Sequence, residues 1–161
     1  MKCDKISLEN AARGVCAVKT AGQKRQKSGR RTTMLKTGIT GKQEVAVSQN
    51  NTAEVVGSGQ LPVFATPAMI ALIEKTAWMS VADELEEGQG TVGTRLDVAH
   101  TSATPVGMNV WCETELTEID KRRLVFKVSV FDESGAIGKG THERFIIEND
   151  KFLKKAESKK G

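Results

Sequence analysis

The sequence predicts an α+β domain in which one helix lies across a curved antiparallel sheet. Two observations carry this. Residues 66–85 hold the chain's one convincing helical periodicity, and four segments after it alternate apolar and polar residues as strands do. With 161 residues, 39% of them hydrophobic, the chain is long enough for a single domain with a real core.

Charge divides the chain before any element begins. Residues 1–33 carry nine Lys/Arg and two Asp/Glu, a net of +7. The rest holds 15 of the 24 basic and 18 of the 20 acidic residues, a net of −3. The overall +4 therefore belongs to the tail, and it argues against nucleic acid as the partner of the body. Residues 1–33 read as a basic, disordered extension and residues 34–161 as the folded domain. The run Gln23 to Arg31 could touch polyanions. An upstream start, an appended leader, a transit peptide and a genuine arm all fit a tail that ends at Met34.

Lys42 to Val47 alternates weakly as a first strand, and Asn50-Asn51 marks a turn. Val55 to Leu61 is Gly-rich and reads as a loop or short strand leading to Pro62. The helix opens with Thr66 as N-cap and Pro67 at the first helical position. Its apolar positions are Met69, Ile70, Ile73, Ala77, Val81 and Leu85, and Gly88 and Gly90 end it.

The first strand pattern after the helix places Thr94, Leu96, Val98 and His100 on one face. The second does so with Met108, Val110, Cys112, Thr114 and Leu116, and the third with Leu124, Phe126, Val128 and Val130. Asp132 to Gly135 signals a hairpin turn. The last strand runs from about Ala136 to Glu148, where Gly138 and Gly140 mark a bulge or a close approach. One helix covers little of such a sheet, so self-association is expected.

Several classes are excluded or disfavoured. No apolar run approaches the roughly 20 residues of a membrane span, and no signal-peptide core is present, so a cytoplasmic protein is expected. Cys3, Cys16 and Cys112 form no CxxC pair, which points away from a disulfide framework or zinc site. Two distant histidines without clustered carboxylates do not make a metal centre. No Gly-rich phosphate loop and no Gly-x-Ser-x-Gly elbow occurs.

Glu74 falls on the apolar face of the helix, among Ile70, Ala77, Trp78 and Val81. A carboxylate there needs a partner or a chemical role. Burial beside Trp78 would raise its pKa and suit a base, whereas a narrower apolar stripe would leave it in water. Thr66 either caps the helix or, with the free amides of the first turn, lines a carbonyl-binding site. His100 is a structural strand-end histidine or a base. His142 and Arg144 share a strand face, which is either an anion site or solvated surface.

In combination these segments are more specific. Phe64 to Met69, then Glu74, then Thr91-Val92-Gly93-Thr94, then His100 to Gly107 resemble the fluoroacetyl-CoA thioesterase-like family. The resemblance covers about residues 42–148. It implies a hotdog fold, a sheet wrapped around a central helix, usually dimeric with acyl-CoA sites at the subunit interface. It implies hydrolysis of an acyl-CoA thioester to a carboxylate and free CoA, with no metal or redox cofactor. It assigns Thr66, Glu74 and His100 as the catalytic group, with Gly93 near the thioester carbonyl and Arg144 as the family's late-strand arginine. The fluoroacetyl-specific members carry aromatic lid residues before the helix, but residues 57–64 contain one aromatic, Phe64. A different short or medium acyl group is therefore expected. A non-catalytic acyl-CoA-binding protein on the same fold is the alternative.

Overall fold

The computed structural model describes residues 35–160; the basic extension expected over 1–33 lies outside them. Period-two alternation sets the sheet. Its strands are β1 (Thr40–Ala46), β2 (Gln89–His100), β3 (Asn109–Asp120), β4 (Arg123–Asp132) and β5 (Gly135–Glu148). They lie in the order β1-β3-β4-β5-β2, and every pairing is antiparallel. The one-sided alternation predicted for the later strands is the side that meets α1 (Thr66–Val81).

Helix α1 packs on β1, β2, β3 and β4. It buries Met69, Leu72, Ile73, Ala77 and Val81 against Val110, Cys112 and Leu116 of β3 and Leu124, Phe126, Val128 and Val130 of β4. Each such aliphatic or aromatic side chain contributes on the order of 1.5–3 kcal/mol by leaving water. Thr76 enters the same face at little cost, because its hydroxyl donates to the Leu72 carbonyl at 2.7 Å.

Several expectations need correction. The helix ends at Val81 and runs into a 3₁₀ turn, Ala82–Glu84, so Leu85 is not helical. Gly88 then adopts φ +84, and β2 starts at Gln89, well before Thr94. Leu72 and Thr76 take core places, whereas Ile70 is half-buried. A second helix, α2 (Asn149–Glu157), forms in the Lys-rich end, where exposed Phe152 and Leu153 gave no core signal.

Strand β2 also carries a bulge, with register shifting between Gly93 and Arg95. Thr94 is the extra residue, and its hydroxyl bonds the Glu143 carbonyl, so it does not share the face of Leu96, Val98 and His100. The close approach anticipated at Gly138 and Gly140 is present. A Cβ on Gly140 would stand 2.1 Å from the Asp97 carbonyl oxygen, and one on Gly138 2.8 Å from that of Ala99. No described helix is long and apolar enough to cross a membrane.

Candidate active site

Thr66 is the first residue of α1, and Ala65 is the N-cap. The predicted capping bond is therefore absent. The Thr66 hydroxyl instead lies 2.9 Å from Nδ1 of His100, at the end of β2. The chain on either side fixes this pair. Phe64 packs edge-on to the His100 ring at 6.4 Å, and both the amide and the hydroxyl of Thr101 donate to the Ile137 carbonyl.

Nε2 of His100 is buried with no hydrogen-bond partner among the described residues. Burial lowers the His100 pKa, opposed in part by a backbone hydrogen bond at Ser102. The imidazole is thus neutral near pH 7, the form that accepts a proton. Both residues open into a cleft of about 270 Å³ whose other walls include Ala53, Ser58, Val63 and Phe64.

Glu74 lies about two turns along α1 from Thr66. Of the two readings left open for it, the narrower apolar stripe holds: its side chain is 41% exposed, beside the buried stripe rather than on it. What it faces is β2 and β5. A Cβ on Gly93 would stand 2.2 Å from Glu74 Oε1, so only glycine leaves room for that carboxylate. Nη1 of Arg144 is 4.0 Å from the same oxygen.

The His142–Arg144 face, left open as anion site or solvated surface, is interior. Arg144 donates from Nε to the Thr91 hydroxyl at 2.8 Å and from Nη2 to the Thr91 carbonyl at 2.7 Å, while Nη1 lies 3.1 Å from His142 Nε2. Arg144 also lines a second cleft, of about 450 Å³, with Trp78, Leu85, Thr91 and Ile147.

The structure thus brings Thr66 to His100, and Glu74 to Gly93 and Arg144. No hydrogen bond or ion pair links the two groups among the described residues. Sequence reasoning missed Thr91, the main anchor of Arg144. Its place two residues before Gly93, on the same strand face, was the available signal.

Residues 47–150 match the sequence profile of the fluoroacetyl-CoA-specific thioesterase family. The chain belongs to that family. The fluoroacetyl-CoA thioesterase of Streptantibioticus cattleyicolor is 43% identical over 97 residues, which cover 60% of this chain and 70% of the relative. A solved structure of a fluoroacetyl-CoA thioesterase variant in complex with acetyl-CoA is 33% identical, with a TM-score of 0.75 over 79% of this chain and all of the other. A hot-dog-like protein from Thermanaerovibrio acidaminovorans, 21% identical, aligns with a TM-score of 0.71 over 78% of this chain and 93% of its own, and speaks to the fold alone. The fluoroacetyl-CoA-specific thioesterase family thus accounts for the hotdog architecture, a five-stranded antiparallel sheet around one long helix.

Proposed function

We propose that this member of the thioesterase family hydrolyses an acyl-CoA thioester to a carboxylate and free CoA. The observation that carries the reading is the 2.9 Å contact between Thr66 and His100 at the wall of a cleft. Attack on the thioester carbonyl forms a C–O bond and displaces the CoA sulfur. Water supplies the oxygen of the carboxylate, and the thiol leaves with a proton.

His100 is the proton acceptor. With Nδ1 accepting from Thr66, the threonine hydroxyl gains nucleophilicity; with Nδ1 protonated toward Thr66, the buried Nε2 is the free basic site. Glu74 activates or directs water from the Gly93 side. The Gly93 backbone and Arg144 contribute to holding the substrate.

The lid stretch supports an acyl group other than fluoroacetyl. Its one aromatic, Phe64, is buried in the core, and its exposed large apolar residue, Leu61, is aliphatic. A homodimer is the assembly this reading favours, because β2 lies at an edge of the sheet and carries both Gly93 and His100. We place the protein in the cytoplasm.

The test is release of free thiol from acyl-CoAs graded in chain length and polarity, using the chain from Met34 onward. His100→Ala should lower kcat by roughly 10²–10⁴-fold, the range of a lost general base. Equal rates for wild type and variant would overturn the assignment.

A further inference from the structure

His142 is a buried titratable group with no part in the hydrolysis proposed above. Its ring is fully buried in β5 and tilted over Phe126 at 6.5 Å. Nδ1 lies 3.0 Å from the Arg95 carbonyl oxygen, and Nε2 lies 3.1 Å from Nη1 of Arg144. A carbonyl can only accept and a guanidinium can only donate. The two contacts together permit one form of the ring, neutral with the proton on Nδ1. Burial and the Arg144 charge both disfavour a second proton.

The consequence falls on Glu74. Three contacts fix the Arg144 guanidinium, two to Thr91 and one to His142. Only the His142 contact is made by Nη1, the nitrogen that faces Glu74 Oε1 at 4.0 Å. The His142 ring also walls the space around the carboxylate: a Cβ on Gly93 would meet Glu74 Oε1 at 2.2 Å and His142 Cε1 at 3.1 Å. Both ionisable groups set against Glu74, His142 and Arg144, come from β5, while β2 contributes Thr91, Gly93 and the Arg95 carbonyl.

We propose that His142 is a positioning residue: anchored by the Arg95 carbonyl, it presents Nε2 to Arg144 and so holds the guanidinium beside the Glu74 carboxylate. This rests on Glu74 taking part in thioester hydrolysis.

Two near-isosteres separate positioning from mere core filling. Asparagine can keep the donor to Arg95 but cannot reach Arg144; glutamine can keep an acceptor for Arg144 but gives up the Arg95 anchor. His142→Asn should lower kcat at least tenfold with KM changed less than about threefold, whereas His142→Gln stays within about threefold of wild type. In an Arg144→Lys background the two substitutions should become equivalent. Parallel losses from Asn and Gln in the Arg144 background of the wild type would overturn the proposal.

A spectroscopic arm does not depend on the variants folding. The chain has two histidines, so ¹⁵N chemical shifts of the imidazoles assign readily. His142 should show a protonated Nδ1 and a bare Nε2 at pH 7; the opposite tautomer would overturn the proposal. Glu74→Gln separates the two levels. If it is inactive while the His142 pair behave alike, positioning by His142 fails and the role of Glu74 stands. If Glu74→Gln turns over normally, the role of Glu74 fails, and the positioning role with it.

Discussion

The hydroxyl of Thr104 donates a 2.8 Å hydrogen bond to Oδ2 of Asp132, and both residues are buried. Oδ1 of the same carboxylate accepts from the Ser134 amide at 2.8 Å. The Thr104 carbonyl in turn accepts from the Phe64 amide, two residues before Thr66. The side-chain contact thus ties the loop after His100 to the turn of the β4–β5 hairpin, and the backbone bond ties the same loop to the entry to α1.

Thr104→Val should cost about 1–3 kcal/mol, because it leaves a buried carboxylate oxygen unpaired. It should also lower kcat, since the loop anchored by this bond follows His100 directly and holds the entry to Thr66 through the Thr104 carbonyl. Thr104→Ser restores the hydroxyl and should recover most of both. Urea unfolding and thiol release measure the two effects; a valine variant of wild-type stability would contradict this account.

Gly93→Ala tests the room made for Glu74. The new methyl would collide with a carboxylate at the end of a flexible, partly exposed side chain, which can swing away. Folding should survive, with melting within a few degrees of wild type, while turnover falls at least tenfold. In a Glu74→Ala background the same change should add little. An active Gly93→Ala enzyme would show that the carboxylate works from some other position.

Stability should depend on pH through the two histidines. Burial is the largest cause lowering both the His100 and His142 pKa values below 6.5. As pH falls below 6.5 the unfolded chain takes up protons that the folded chain still refuses, so stability is lost on acidification and is full above that pH. The urea midpoint at pH 7.5 should exceed that at pH 5.5, and His142→Gln should narrow the gap. A flat or inverted dependence that His142→Gln leaves unchanged would count against both burials. The acid limb of kcat/KM set by His100 should likewise lie below pH 6.5.

Most of the sheet was legible because β3 and β4 bury one face and expose the other, as Val110, Cys112 and Leu116 opposite Leu124, Phe126 and Val128 show. The start of β2 was not, because Gln89 to Val92 are neither clearly buried nor clearly exposed and a bulge interrupts the alternation. Helix α2 was missed because it buries nothing. At the candidate site, the spacing of Thr66, Glu74 and His100 picked out three side chains, but the partners each one meets are set by tertiary structure. Nothing local to His142 says that a carbonyl from β2 and a guanidinium two residues on will close around its ring. The choice between the two readings of Glu74 has the same origin. Helical spacing gave its direction approximately, and whether that direction met core or the edge of the buried stripe depended on where β2 and β5 passed.

The bulge at Thr94 makes β2 an odd-numbered ruler. Thr91 and Gly93 serve Arg144 and Glu74, and Leu96, Val98 and His100 point to the helix side as well, although an uninterrupted strand would send one set outward. The two halves of the site are thus held in phase by a single supernumerary residue. Losing one residue between Gly93 and Leu96, or gaining one, would leave either half intact by itself yet turn it away from the other. Length in this strand consequently shapes the candidate site as much as any side chain on it.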